Sequence, residues 1–265
     1  MSVRPAFDRA RGEGRAALVG YLPAGFPDVD GGVEALRAMV DSGCDVIEVG
    51  LPYSDPVMDG PTIQTAVQQA LDGGVRTADV LRTVEAVAAT GTPTVVMTYW
   101  NPVDRYGVER FARDLAAAGG SGLITPDLTP DSDPQWAAAA DAHDLDKIFL
   151  VAPSSTDERV AMTTAACRGF VYATAVMGVT GARDSTSDLA EPLVARTRRT
   201  TDLPVAVGVG VGNGRQAASV AAYADGVIVG SAFVRALLDH ADDRATGLAA
   251  LAALTADLAK GVRGG

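Results

Sequence analysis

The chain is 265 residues long, 48% hydrophobic and 21% charged, an ordinary soluble globular composition with material for a large core, which excludes long disorder. Its 33 acidic residues outweigh 22 basic ones for a net charge of −11, which disfavours sequence-independent binding to nucleic acid or an anionic membrane. The two cysteines, Cys44 and Cys167, form neither a disulfide framework nor a metal-type spacing. With no apolar signal core near the N-terminus and no run of membrane-spanning length, a cytoplasmic location is expected.

From Arg15 onward, short β-branched or apolar runs alternate with Ala-rich amphipathic stretches, the pattern of repeated βα units. A helix is predicted over residues 2–13. Strands follow at 17–22, 46–50, 94–99, 122–125, 147–151, 170–175, 204–208 and 226–229. Between them the apolar periodicity predicts helices at 32–42, 78–89, 109–118, 133–143, 157–166, 190–200 and 215–222, with a last one at 247–262. Two further helical runs, 62–72 and 232–238, fall in the connections after the second and eighth strands.

Eight parallel strands each followed by a helix in roughly 250 residues describe a (β/α)8 TIM barrel, whose active sites lie on loops at the carboxyl ends of the strands. An open doubly wound sheet would carry a Gly-rich fingerprint after its first strand; Leu22-Pro23-Ala24-Gly25-Phe26-Pro27 does not fit one, and the glycine clusters come late. The expected fold class is therefore α/β, a single TIM barrel over residues 1–265 with an extra N-terminal helix and additional short helices in the βα loops.

Within Asp45-Val46-Ile47-Glu48-Val49-Gly50, alternation places Glu48 on the same face as Val46. Ionised and unpaired there it would cost several kcal/mol, so it must be hydrogen-bonded, protonated or facing a polar cavity. In a barrel it sits near the carboxyl end of the second strand, turned toward the axis. The following loop supplies Asp55 and Asp59, the latter in a Met58-Asp59-Gly60-Pro61 turn. Two carboxylates in different environments can divide labour, one donating a proton while the other stays ionised. The alternatives are that Glu48 pairs with a basic residue on a neighbouring strand and that Asp59 is turn chemistry. His143 and His240 fall in or beside outer helices, leaving no imidazole base; no nucleophile triad and no cluster of metal ligands stands out.

Gly208-Val209-Gly210 after the seventh strand and Gly230-Ser231 after the eighth fall where barrels bind phosphate. Glycines let the backbone approach, and a helix amino end adds a favourable dipole; the alternative is that they only turn the chain. The polar stretch from Gly178 through Thr180 and Gly181 to Ser187 suits a mobile lid or a plain exposed connection. Tyr21, Tyr99 and Tyr172 fall at or near strand ends, where they either wall a pocket or fill the core.

These segments, in order along nearly the whole chain, resemble the alpha subunit of tryptophan synthase. The likeness is carried by Glu48 and Asp59 in IEVGLPYSDPVMDGPTIQ, Tyr172 before GVTGA, the GVG at Gly208–Gly210 and Gly230-Ser231. Met58 and Val209 depart from the residues common at those places. The resemblance implies retro-aldol cleavage of indole-3-glycerol phosphate to indole and glyceraldehyde 3-phosphate. It makes Glu48 the acid/base and Asp59 the acceptor of the indole N–H. By the same likeness, Gly181, Gly208, Gly210, Gly230 and Ser231, with Thr180 and Val209 beside them, hold the phosphate, while Tyr21, Tyr99, Asp127 and Tyr172 border the indole or support the carboxylates. It implies no cofactor on this chain, pyridoxal phosphate residing in a partner beta subunit within an alpha-beta-beta-alpha heterotetramer. Two rivals share the motifs: a stand-alone indole-3-glycerol phosphate lyase and a mainly regulatory binding subunit.

Overall fold

Strand pairing follows chain order without exception. In the computed structural model, which describes residues 2–174 and 187–264, the strands are β1 (Ala17–Pro23), β2 (Val46–Gly50), β3 (Thr94–Met97), β4 (Gly122–Thr125), β5 (Asp146–Val151), β6 (Val171–Thr174), β7 (Val205–Gly208) and β8 (Gly226–Val229). Each is parallel to its neighbours, and β8 closes the barrel by pairing with β1 from Ala17↔Gly226 to Gly20↔Val229. The described helices are α1 (Arg4–Gly12), α2 (Val29–Asp41), α3 (Pro61–Asp72), α4 (Thr77–Ala88), α5 (Trp100–Tyr106), α6 (Val108–Ala117), α7 (Pro134–Ala142), α8 (Asp157–Ala166), α9 (Ser187–Thr197), α10 (Gly214–Ala221), α11 (Ser231–Leu238) and α12 (Arg244–Gly261). None is long and apolar enough to cross a membrane.

Alternation along each strand divides the core into two shells. Val19, Val46, Val95, Ile124, Ile148, Phe170, Ala206 and Ile228 turn inward and pack on one another, while Leu18, Ile47, Val96, Leu123, Val207 and Val227 turn outward against the helices. Strands covered on both faces read as near-continuous apolar runs, and all five residues of β2 are buried.

The extra N-terminal helix closes the amino end of the barrel. Val3, Ala6, Phe7 and Ala10 join the inner shell, and the Phe7 ring lies 5.1 Å from that of Phe170. Gly226 makes room for it, because a Cβ there would lie 2.7 Å from Phe7 Cε1. Fully buried Asp146 holds the helix in place: its carboxylate accepts the Val3 N–H at 2.8 Å and the Ser2 hydroxyl at 2.9 Å, with Arg168 Nε at 3.1 Å. At the start of the next strand pair, Arg15 grips Asp45 with two bonds of 2.7 and 2.8 Å, and Asp45 also accepts the Leu18 N–H at 2.9 Å, a bidentate geometry with a directional preference.

The structure departs from the sequence expectation at several boundaries. Expected to reach Tyr99, β3 ends at Met97, and Tyr99 instead precedes α5, a helix the apolar periodicity did not reveal. Its first turn tolerates Pro102, and Asp127, remote in sequence, accepts the Trp100 N–H. Helices α2 and α12 begin three residues earlier than expected because Asp28 and Asp243 cap them through Gly31 and Thr246 N–H groups. Likewise α9 starts at Ser187 and ends at Thr197, with Pro192 inside it.

Truncating the plug tests its contribution. Phe7→Ala is expected to lower unfolding stability by about 3–5 kcal/mol, the range for a buried Phe, measured by urea denaturation; a loss under about 1 kcal/mol would show that α1 is dispensable to the barrel.

Candidate active site

Glu48 occupies the third position of β2, paired in register with Tyr21 of β1 and Val95 of β3. It shares the inward parity of Val46 but stands one layer nearer the carboxyl end, and it is 1% exposed. Its Oε2 is buried with no hydrogen-bond partner among the described residues. The alternative of a basic partner on a neighbouring strand is not realised: among the described residues no basic side chain pairs with it. Burial alone pushes its carboxyl up to about 8, so the group is mostly protonated at neutral pH.

Asp59 reaches the same space from the connection between β2 and α3. Tyr99 donates its hydroxyl to Asp59 Oδ1 at 3.0 Å and accepts the Met58 N–H at 2.9 Å, and Gln64 Nε2 donates to the Asp59 carbonyl at 2.8 Å. Both ends of the residue are therefore held. Burial raises the Asp59 carboxyl above its ordinary value, and the Tyr99 hydrogen bond pulls it back. Burial pushes the Tyr99 phenol up to about 12, which keeps the proton that the bond needs.

The chain turns after β7 and β8 line the same cavity as the carboxylates. Gly208 is glycine for a spatial reason: a Cβ would lie 2.5 Å from the Tyr172 hydroxyl. Gly210 has φ +75°, a conformation L side chains seldom adopt. Next to them Gly230 precedes Ser231, the first residue of α11. Tyr21 and Tyr172 line the cavity as well, Tyr21 close to Gly230 and Tyr172 close to Gly208. Burial raises both phenols, reinforced for Tyr21 by the charges of Asp59 and Glu48 and for Tyr172 by Glu48, so both remain neutral.

One cavity thus gathers Glu48, Asp59, Tyr21, Tyr172, Gly208, Val209, Gly210, Gly230 and Ser231. Tyr99 belongs to the site through Asp59. Asp127 stands apart from the cavity and takes the Trp100 N–H on both oxygens, at 2.9 and 3.1 Å. Thr180 and Gly181 lie outside the described residues. The sequence reading overlooked the apolar walls Ile63, Met97, Leu150 and Ile228, and the lining residues Met58 and Thr174. A signal existed for some of them: Met97, Leu150 and Ile228 each lie two residues beyond an inward position, and barrel parity alone would have turned them into the cavity. Among the described residues, no group of three or more His, Cys, Asp or Glu is arranged to hold a metal ion. The arrangement offers a protonated acid and a second carboxylate across apolar walls from a backbone-lined turn, suited to an aromatic ligand with an anionic tail.

The profile of the tryptophan synthase alpha chain family matches residues 7–263. The chain is 67% identical over 258 residues to the tryptophan synthase alpha chain of Salinispora arenicola, covering 97% of this chain and 96% of that protein. With that of Acidothermus cellulolyticus it shares 64% identity over 262 residues, 99% of this chain and 97% of the other. A solved structure of Mycobacterium tuberculosis tryptophan synthase superposes with a TM-score of 0.93 at 60% identity, covering 99% of this chain and 98% of that one. Closed eight-stranded barrel, paired carboxylates and full-length similarity lead to one assignment: the chain belongs to the tryptophan synthase alpha chain family.

Proposed function

We propose that Glu48 and Asp59 carry out, within one catalytic unit spanning the chain, the lyase reaction of this family, cleavage of indole-3-glycerol phosphate. The observation that carries the reading is a buried carboxyl with an unpartnered oxygen, Glu48 Oε2, in a cavity shared with Asp59 and the glycines after β7 and β8.

The chemistry follows from the two environments. Protonated Glu48 donates to indole C3, and the positive charge that appears on the ring N–H is stabilised by ionised Asp59. Glu48, now a carboxylate, takes the proton of the side-chain hydroxyl next to C3. The carbon–carbon bond breaks, its electron pair returns to the ring to restore indole, and the hydroxyl carbon becomes the aldehyde of glyceraldehyde 3-phosphate. Protons balance, and no redox partner or cofactor is required. Tyr99 keeps Asp59 oriented, and apolar side chains from β3, β5 and β8 surround the ring. Gly208, Gly210, Gly230 and Ser231 receive the phosphate through backbone N–H groups and the α11 amino end. No Lys or Arg lines the cavity among the described residues, so local dipoles act against an unfavourable overall charge.

The partner is a tryptophan synthase beta subunit in an alpha-beta-beta-alpha assembly, which holds the pyridoxal phosphate, and the setting is the cytoplasm. Consistent with this, the segment between Glu48 and Asp59 carries Val57, an apolar side chain 74% exposed.

Glu48→Gln is expected to lower the cleavage rate at least about 10²-fold while changing phosphate-ligand affinity by less than about tenfold; near-wild-type turnover would remove Glu48 from its role. The acid must be protonated, so kcat/KM should fall as pH rises through about 8. On the acid side it should fall where Asp59 gains a proton, above the ordinary aspartate range; a rate still climbing at about pH 9.5 would contradict the assignment. Val57→Asp is expected to weaken binding of a beta subunit at least about tenfold in a titration of the purified chains, and undiminished affinity would place the interface elsewhere.

A further inference from the structure

We propose that Arg235 is a positioning residue that ties the phosphate end of the site to the segment carrying Asp59, an inference that rests on the roles proposed above for Asp59 and the α11 amino end. Arg235 lies one turn into α11, whose first residue is Ser231. Its Nη2 donates to Thr62 Oγ1 at 2.6 Å, across 173 positions of sequence. Thr62 is the second residue of α3, just past the Asp59-Gly60-Pro61 turn. The link then continues inside α3, where Gln64 Nε2 donates to the Asp59 carbonyl at 2.8 Å.

Two observations separate this contact from an incidental surface bond. In a chain with 33 acidic residues, Arg235 forms no ion pair among the described residues and spends its guanidinium on a neutral hydroxyl. The helices it joins, α3 and α11, also pack directly against each other, so a displacement of one is transmitted to the other. Asp59 is consequently suspended between two anchors. Tyr99 fixes its carboxylate from the β3 side, and Arg235, through Thr62 and Gln64, fixes its backbone from the phosphate side. An anion seated at the first turn of α11 steadies that helix, and with it the amino end of α3 and the direction in which Asp59 points. Arg235 itself does not line the cavity, so its loss acts on the chemical step more than on phosphate affinity.

The test uses the full chain with Arg235→Met, Thr62→Val and the two combined, reading kcat for indole-3-glycerol phosphate and affinity for glycerol 3-phosphate as the phosphate probe. Each single change is expected to lower kcat about five- to tenfold while affinity for glycerol 3-phosphate stays within about twofold. The combined variant should be no worse than the poorer single one, because both remove the same link, and Arg235→Lys should recover part of the lost kcat. Unchanged kcat in Arg235→Met, multiplicative losses in the combined variant, or a loss confined to glycerol 3-phosphate affinity would each overturn the proposal. A wild-type chain that binds glycerol 3-phosphate and cleaves nothing, alone or with a beta subunit, would overturn the underlying reading instead.

Discussion

The desolvation of one carboxyl group organises this molecule. Glu48 sits in the interior of a closed barrel, 1% exposed and with no cation beside it among the described residues, and the medium rather than a neighbour sets its protonation. That condition requires water to be kept out from below and admitted, with a ligand, only from above. The α1 plug and the Phe7–Phe170 pair meet the first requirement. Closure of β8 on β1 leaves no sheet edge through which solvent could reach the site.

The electrostatic plan is spare. Two carboxyl groups are both raised by burial, but among the described residues only Asp59 has a hydroxyl donor that favours its ionised form. Asp59 differs from Glu48 by the hydrogen bond from Tyr99 and by its partial exposure, the kind of asymmetry that lets two carboxyl groups take different protonation states. Elsewhere in the cavity, glycines and a helix amino end line the wall with no basic side chain among the described residues. Backbone dipoles do not swing toward the carboxylates as a lysine would, so the phosphate site proposed above can coexist with Glu48 without pairing with it and drawing down its proton affinity.

Much of the fold was legible because α/β barrels repeat a simple code. Short apolar runs such as Val46–Gly50 alternate with amphipathic helices, and the order of elements implies parallel pairing and closure. Glu48 was legible as well, since a charged residue in the inward register of such a run contradicts its surroundings. Boundaries set by remote contacts were not. Whether Tyr99 ends a strand or starts a helix depends on Asp127, which accepts the Trp100 N–H from 27 residues away, and no local pattern encodes that. The apolar walls Met97 and Leu150 read as ordinary core until the barrel's register turned them toward an opening.

By itself the sequence determined the alternation of strands and helices, the inward parity of Glu48, the glycines where the backbone must approach and the family likeness. These properties depend on local sterics and on the period of hydrophobic residues, which neighbours along the chain specify. Tertiary structure alone decided that Glu48 Oε2 has no partner among the described residues, that Asp59 is held from Tyr99 on one side and from α3 on the other, and that Arg235 reaches Thr62. Burial and hydrogen bonding between distant segments exist only once the barrel has closed, and the protonation of its acids is a property of that closed interior.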